Sequence, residues 1–418
     1  MSDRRGLFAP FRSPRYSAVW SGAFVSNIGT WMETLTIGVY ITDVTKQAAW
    51  TGVIAAAGFV PNAVFAPLGG ALADRISRRA LLIFTNTAQA CVAATLALLI
   101  GTSHPKPILI TALVFIGSSV GSMGFPAYMS VLPDLVERED IPAAVALSST
   151  QWNLGRVVGP AIAGFTLKRF GYSTALWVNA FSFIGPIVAM MLIALPSRVA
   201  AVRESVFESM KSGFRFARHD PAVWVALRIL MITAFFGAPF IALIPAVAHL
   251  MLGGGKDAAG WLTAGQGVGA VIAAVVLGVA RRRYGASSTL LGAFAIFIAS
   301  LIAYALSPNV AFASAALVLV GGSYLAAFAS LTTTAQLRAA PELRGRTLAT
   351  FMIVLGVLFP IGALIQGKLG DLIGLRWVTA GSGVFFGLVL AVVLIRKPDF
   401  MAPLNDAHGD SNHGSDYS

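Results

Sequence analysis

Twelve stretches of about twenty apolar residues, set apart by short polar breaks, leave this chain few ways to fold in water. They run near 18–42, 50–73, 80–101, 107–131, 142–167 and 173–195, and, after a polar interval, near 222–248, 259–280, 287–306, 309–334, 346–369 and 375–395. Crossing a hydrocarbon layer of about 30 Å takes ~20 helical residues, and lipid offers backbone groups no hydrogen bonds of its own. Each stretch therefore reads as one membrane-crossing helix, and the chain as an all-α membrane protein with twelve transmembrane helices. Composition agrees: 56% of the 418 residues are hydrophobic and 11% charged.

The formal charge of +12 would suggest nucleic acid in a soluble protein, but here the basic residues fall in the breaks between spans. With the N-terminus inside, 21 Lys and Arg lie in cytoplasmic segments and 7 in external ones, an asymmetry that places both termini in the cytoplasm. No nucleic acid is expected as a partner. The basic start MSDRRGLFAPFRSPRY lacks the apolar core and cleavage site of a secretory signal, so the first span is expected to direct insertion. Cys91 is the single cysteine, which removes disulfide frameworks and Cys-x-x-Cys chemistry. GGGKDA at 253–258 imitates a phosphate loop but has Leu250 where glycine and Asp257 where Ser or Thr is required. His249 stands alone, and no His or carboxylate cluster lies within the spans, so no enzyme activity, metal or cofactor is expected.

The halves repeat at an offset of 200 residues. Thr150, Val157, Pro160, Trp177, Val178, Ala180 and Ser182 match Thr350, Val357, Pro360, Trp377, Val378, Ala380 and Ser382. Two pseudo-symmetric six-helix bundles follow, at 18–196 and 222–396, flanked by a basic N-terminal segment (1–17) and a polar tail (397–418) expected to be disordered. The connecting segment 197–221 places Val206, Met210 and Phe214 at four-residue steps among charges. This suits either an amphipathic helix on the cytoplasmic surface or a solvated linker.

GALADRISRR, Gly70–Arg79, resembles the loop signature of the major facilitator superfamily. Gly70, Leu72, Asp74, Arg75, Arg78 and Arg79 match it, and Ser77 replaces a glycine whose loss is expected to weaken the turn. The second half keeps Gly278 and Arg281 to Arg283 without the aspartate. NLGRVVGPAIAG, Asn153–Gly164, is similar to the span-five motif of superfamily exporters through Gly155, Gly159, Pro160 and Gly164. With SNIGTWMETLTIGVYITDVT (26–45) and SGFRFARHDPAV (212–223), the chain resembles the branch holding siderophore and drug exporters. The resemblance implies the major facilitator fold and a multi-pass, monomeric protein of the plasma membrane. It also implies a conformational latch, in which Asp74, with Gly70, Arg75, Arg78 and Arg79, meets the N-terminus of the eleventh span and favours one state of a rocking equilibrium.

Glu33 and Arg156 are the deepest charges of the first half, each roughly 20 Å from a cytoplasmic helix end. They read either as a proton-coupling pair or as a permanent ion pair, in which a firm arginine partner would oppose protonation. Ser26, Thr30, Glu33 and Ile37 share one stripe, and relatives often carry their acidic residue nearer position 30. Asn27, Thr30 and Asn153 are candidates for contact with cargo, although such side chains also join helices. Trp31, Trp152, Tyr40 and Tyr324 either line an aromatic cavity or face lipid. Arg228 is close enough to a helix end to snorkel. The expected function is export of a small amphipathic or anionic compound, siderophore-like or drug-like, by alternating access against proton entry. An uptake symporter, a lysophospholipid flippase and a non-transporting membrane receptor are the alternatives.

Overall fold

The computed structural model describes residues 6–193, 195, 206–340 and 343–405, apart from the side chains of Pro67, Ala71, Asp74 and residues 206–210. No strand occurs among the described residues. The helices are α1 Pro14–Thr45, α2 Ala48–Arg75, α3 Arg78–Thr102, α4 Pro107–Val131, α5 Ile141–Ser182, α6 Ile184–Leu192 and α7 Val206–His219. They continue as α8 Pro221–Ile232, α9 Phe240–Ala246, α10 Ala258–Ala305, α11 Val310–Arg338, α12 Arg344–Ile373 and α13 Leu375–Arg396.

Nine helical stretches among the described residues are long and apolar enough to cross a membrane. Two of them hold two crossings each. At 1.5 Å per residue the 42 residues of α5 and the 48 of α10 would reach about 63 and 72 Å, roughly twice the hydrocarbon thickness. Each is broken at a glycine with positive φ, Gly171 (φ 83°) and Gly285 (φ 80°), a backbone region that side chains with a Cβ rarely adopt. With α1 the crossings among the described residues number twelve, and the breaks fall between the predicted spans.

Polar caps start the helices where the sequence turns from loop to apolar run. The Ser13 hydroxyl accepts from the Tyr16 N–H at 3.3 Å ahead of Pro14, Asp220 accepts from Val223 at 2.9 Å, and Asn309 from Phe312 at 2.9 Å. Ser77 corrects an expectation. Its φ of −62° needs no glycine, and its hydroxyl accepts from the Ala80 N–H at 3.1 Å, so the replacement caps α3 instead of weakening the turn.

Contacts divide the chain into two compact units, one of Met1–Val202 with Ile244–Ala264 and one of Arg203–Leu243 with Gly265–Ser418. In the first, α1 lies along α5 and α2 along α4. Two apolar clusters bracket α1: Tyr16 and Val19 pack with Leu81, Val131 and Leu147, and Ile37 and Ile41 with Leu96, Ile110 and Leu176. Between them lies the polar middle third of α1. The segment 244–264 packs on this unit through Pro245, set against Gly38, and Gly260, set against Gly164.

In the second unit, α7 packs on α12: a Cβ on Gly213 would meet the Arg346 carbonyl oxygen at 2.5 Å, and the Arg346 guanidinium donates to the Ser212 hydroxyl at 3.0 Å. The 197–221 connection thus carries a helix with one face buried on the bundle, while Lys211, Phe214, Arg215 and Arg218 remain exposed. The tail differs from expectation. Pro398–Asn405 forms a 3-10 helix with Met401 and Leu404 buried, because three-residue spacing puts both on one face. Ser287 secures it, its hydroxyl donating to the Met401 carbonyl at 2.6 Å and its N–H to Asn405 Oδ1 at 3.0 Å. Residues 406–418 lie outside the described residues. Arg228 sits between rings, 5.6 Å from the centroid of Trp224 and 5.1 Å from that of Phe400.

The internal repeat is visible within each unit. The Arg78 guanidinium donates to the Ser130 carbonyl at 2.8 Å, and Arg281 donates to that of Ser330 at 3.1 Å. Ser130 and Ser330 are 200 positions apart, the offset found in the sequence.

Candidate functional site

The middle of α1 presents Ser26, Asn27, Thr30, Trp31 and Glu33 within two turns. Two of its hydroxyls are directed to their own helix, Ser26 donating to the Ala23 carbonyl at 3.1 Å and Thr30 to that of Ser26 at 2.9 Å. Asn27 is 6% exposed and donates to the Gln151 carbonyl at 3.0 Å, where α5 comes close at Gly155. It joins α1 to α5. Asn153 is exposed, its amide donating to the Ser149 carbonyl at 2.9 Å.

Glu33 accepts a 2.6 Å hydrogen bond from the side-chain amide of Asn179. Asn179 is itself 2% exposed and accepts from the Ser182 hydroxyl, at 2.7 Å on its carbonyl and 3.3 Å on Oδ1. Gly29 makes the approach possible, since a Cβ there would lie 2.5 Å from both Asn179 Oδ1 and Ser182 Oγ. Arg156 is placed differently. Its guanidinium carbon lies 5.8 Å from the centroid of the Trp31 ring, and Trp31 packs edge-on against Trp152 at 5.9 Å. Glu33 thus meets an amide from the crossing after the Gly171 break, while Arg156, on the crossing before it, lies against a ring of α1. The sequence did not single out Asn179 as the partner of Glu33, because nothing local connects positions 146 apart.

The span-five motif forms contact surfaces. Gly155 lies on Asn27, Gly159 on Trp31 and the Ile28 carbonyl, and Gly164 on Gly260, with Pro160 buried beside them. The loop-signature residues divide. Gly70 has ordinary packing room, Arg75 is exposed, Arg79 donates to the Met191 carbonyl, and Arg78 is buried in an ion pair with Asp134 at 2.6 Å. The Asp74 side chain lies outside the described residues.

At the opposite end of this unit sits a cluster that sequence reading missed. Asp43 meets Lys46 at 2.8 Å, accepts from the Tyr172 hydroxyl at 2.9 Å and lies 3.4 Å from His249, whose ring nitrogen is also 2.9 Å from Lys46. Lys168 pairs with Asp257 at 2.9 Å.

The pattern of the family described as transmembrane secretion effector matches residues 5–412. The chain belongs to that family. Its fold is that of major facilitator transporters: a mutant of the nucleoside transporter NupG superposes with a TM-score of 0.74 at 13% identity, over 90% of this chain and 99% of that one. A bacterial homologue of the lysosomal transporter Spinster, in an inward-facing unoccupied conformation, gives 0.71 at 16% identity, over 93% and 98%. Among curated relatives, macrolide efflux protein A of Streptococcus pyogenes is 22% identical over 56% of this chain and 58% of its own length. The multidrug efflux pump Tap of Mycolicibacterium fortuitum is 24% identical over 82% and 84%, and the enterobactin exporter EntS of Shigella boydii 28% over 50% of each. The match thus spans little more than half the length of the macrolide protein, and most of Tap.

Two predictions concern how this secretion-effector chain is held together. Gly260→Val is expected to cost about 1–3 kcal/mol, because both obstacles are backbone: a Cβ at Gly260 would lie 2.7 Å from Gly164 Cα and 3.0 Å from the Pro160 carbonyl oxygen. Thermal unfolding of the purified variant checks this, and a melting point equal to wild type would refute the close crossing. The second concerns acid. The hydrogen bond from Lys168 holds the Asp257 carboxyl below its ordinary value. A depressed carboxyl contributes stability above its unfolded value and loses it as pH falls through the folded one. The Lys168 side chain is well exposed, so the contribution is at most ~1 kcal/mol. The melting-point difference between wild type and Asp257→Asn is expected to stay constant from about pH 7 to 5 and to close below about pH 4. A difference that does not vary with pH would show that the charge is immaterial.

Proposed function

We propose that this multi-pass protein is a secondary active exporter of the plasma membrane, moving a small amphipathic or anionic molecule outward by alternating access against inward proton flow. The observation that carries the reading is Glu33, a carboxyl in the middle of a membrane-crossing helix whose partner is the neutral amide of Asn179. Ionisable residues at such depth are costly and mark ion or substrate pathways. A neutral amide keeps the carboxyl positioned whether or not it carries a proton, so the site can load and release one. The efflux function named for the curated relatives supports the outward direction. In this reading both termini are cytoplasmic, the protein works as a monomer, and Asp74 with its neighbouring arginines biases the equilibrium between inward-open and outward-open states.

The test is reconstitution in liposomes with an imposed pH gradient, recorded by an internal pH dye while macrolides, catecholate chelators and cationic dyes are added singly. At least one class is expected to accelerate collapse of the gradient above protein-free vesicles. If a compound is carried with no proton movement, the protein is a facilitator. If none is carried, the exporter reading falls.

A further inference from the structure

Arg228 stands seven residues into α8, about 10 Å along the helix, at the end of the second unit proposed above to be cytoplasmic. Its guanidinium lies against the rings of Trp224 and Phe400, 5.6 and 5.1 Å from their centroids, and its Nε–H is buried without a hydrogen-bond partner. Among the described residues no carboxylate pairs with it. A charge left uncompensated so close to lipid tails is costly. Two neighbouring features say what compensates it. On the membrane side, Ile229 and Ile232 of α8, Leu390 and Val393 of α13 and Phe400 line a shallow apolar groove, with Ile232 one turn beyond Arg228 on the same helix face. On the other side, Trp224 packs edge-on against Phe214 of α7 at 6.1 Å, and Phe214 shares an exposed stripe with Lys211, Arg215 and Arg218.

We infer that this is a binding site for an anionic phospholipid of the cytoplasmic leaflet, with an acyl chain in the groove and the phosphate on Arg228. Charge selects the occupant. The described side chains of α7, α8 and the segment 396–405 include six Lys or Arg, all exposed except Arg228. Against them stand Asp220, paired with Arg338 at 2.9 Å, and the exposed Asp399. Basic clusters of this size beside a membrane-crossing helix attract anionic headgroups. The Phe400 N–H donates to the Lys397 carbonyl at 2.9 Å, so the turn that brings the ring to Arg228 also holds Arg396 and Lys397 within one turn of it. Contacts with Trp224 and Phe400 fix the guanidinium at the head of the groove, and its N–H donors recognise phosphate in the plane of the group. A headgroup there is joined to tails that run directly into the groove, which a free anion cannot use.

The test is native mass spectrometry of the purified full chain in a nonionic detergent, titrated with phosphatidylglycerol or phosphatidylcholine of identical acyl chains. Wild type is expected to bind its first phosphatidylglycerol about tenfold more tightly or better, the range of a charge-assisted hydrogen bond. Arg228→Gln should abolish most of that preference, and the triple variant Lys211→Gln, Arg215→Gln, Arg218→Gln should reduce it. Arg12→Gln with Arg15→Gln, which removes exposed charge from the first unit, should leave it unchanged. Equal affinity for the two lipids, a preference unchanged in Arg228→Gln, or an equal loss in the Arg12 and Arg15 variant overturns the site. Displacement of the lipid by inorganic phosphate at the same concentration also overturns it, as the mark of a plain anion site. If Arg228→Gln does not fold, the triple variant decides, since its three positions are exposed and an unchanged preference there removes the headgroup cluster. No transport enters the measurement, so its outcome stands apart from the exporter reading.

Discussion

Glu33→Gln is expected to reduce substrate-driven proton flux to the level of protein-free liposomes while leaving the fold intact. Glutamine keeps the shape and an acceptor oxygen for the Asn179 amide, now 2.6 Å from the carboxylate, so the joint between α1 and the part of α5 beyond Gly171 survives. What it removes is a group that binds and releases a proton inside the membrane. Solute exchange down a gradient should persist, because alternating access does not itself require the proton. The measurement is a paired one, gradient collapse and counterflow on the same vesicles. A variant that still moves protons with substrate assigns coupling elsewhere and leaves Glu33 a structural polar residue. Asn179→Ala should impair coupling less than Glu33→Gln, because the carboxyl remains but loses the donor that positions it.

Asp134→Ala is expected to destabilise the first unit by about 3–5 kcal/mol, since removing one partner of a buried ion pair leaves the other charge uncompensated. Arg78 and Asp134 are 8% and 10% exposed and 2.6 Å apart, so their charges meet in a poorly solvated place. Replacing both by apolar residues, Arg78→Met with Asp134→Leu, should cost much less than the single change. Denaturant or thermal unfolding of the three variants checks this, and a single-variant cost under ~1 kcal/mol would mark the pair as solvated. The second unit shows how the fold manages without the carboxylate. Its Arg281 keeps the serine-carbonyl contact, but Thr334 stands 200 positions after Asp134. Arg78 and Arg79, grouped in the sequence with a latch, are thus also braces within one unit.

Sequence alone determined the number and order of the membrane crossings, the breaks near 171 and 285, and the repeat at 200 residues. Each of these is a property of one segment against the bilayer: an apolar run of the right length partitions whatever its neighbours do. The superfamily was legible too, because its loop and span-five motifs are local. The pairing of side chains was decided by tertiary structure. Glu33 and Arg156 stand at similar depth, and depth suggested a pair, but each residue turns a helix by about 100°, so depth says nothing about facing direction. Packing of α1 on both crossings of α5, through Gly155 and Gly159 before the Gly171 break and through Gly29 on the part after it, set that direction, placing Asn179 at Glu33 and Trp31 at Arg156. The same reason applies to His249, which looked isolated in the chain and comes to Asp43 and Lys46 through a contact spanning 203 residues. Which side chains meet depends on the rotation of two packed helices together, and no single stretch of sequence carries that information.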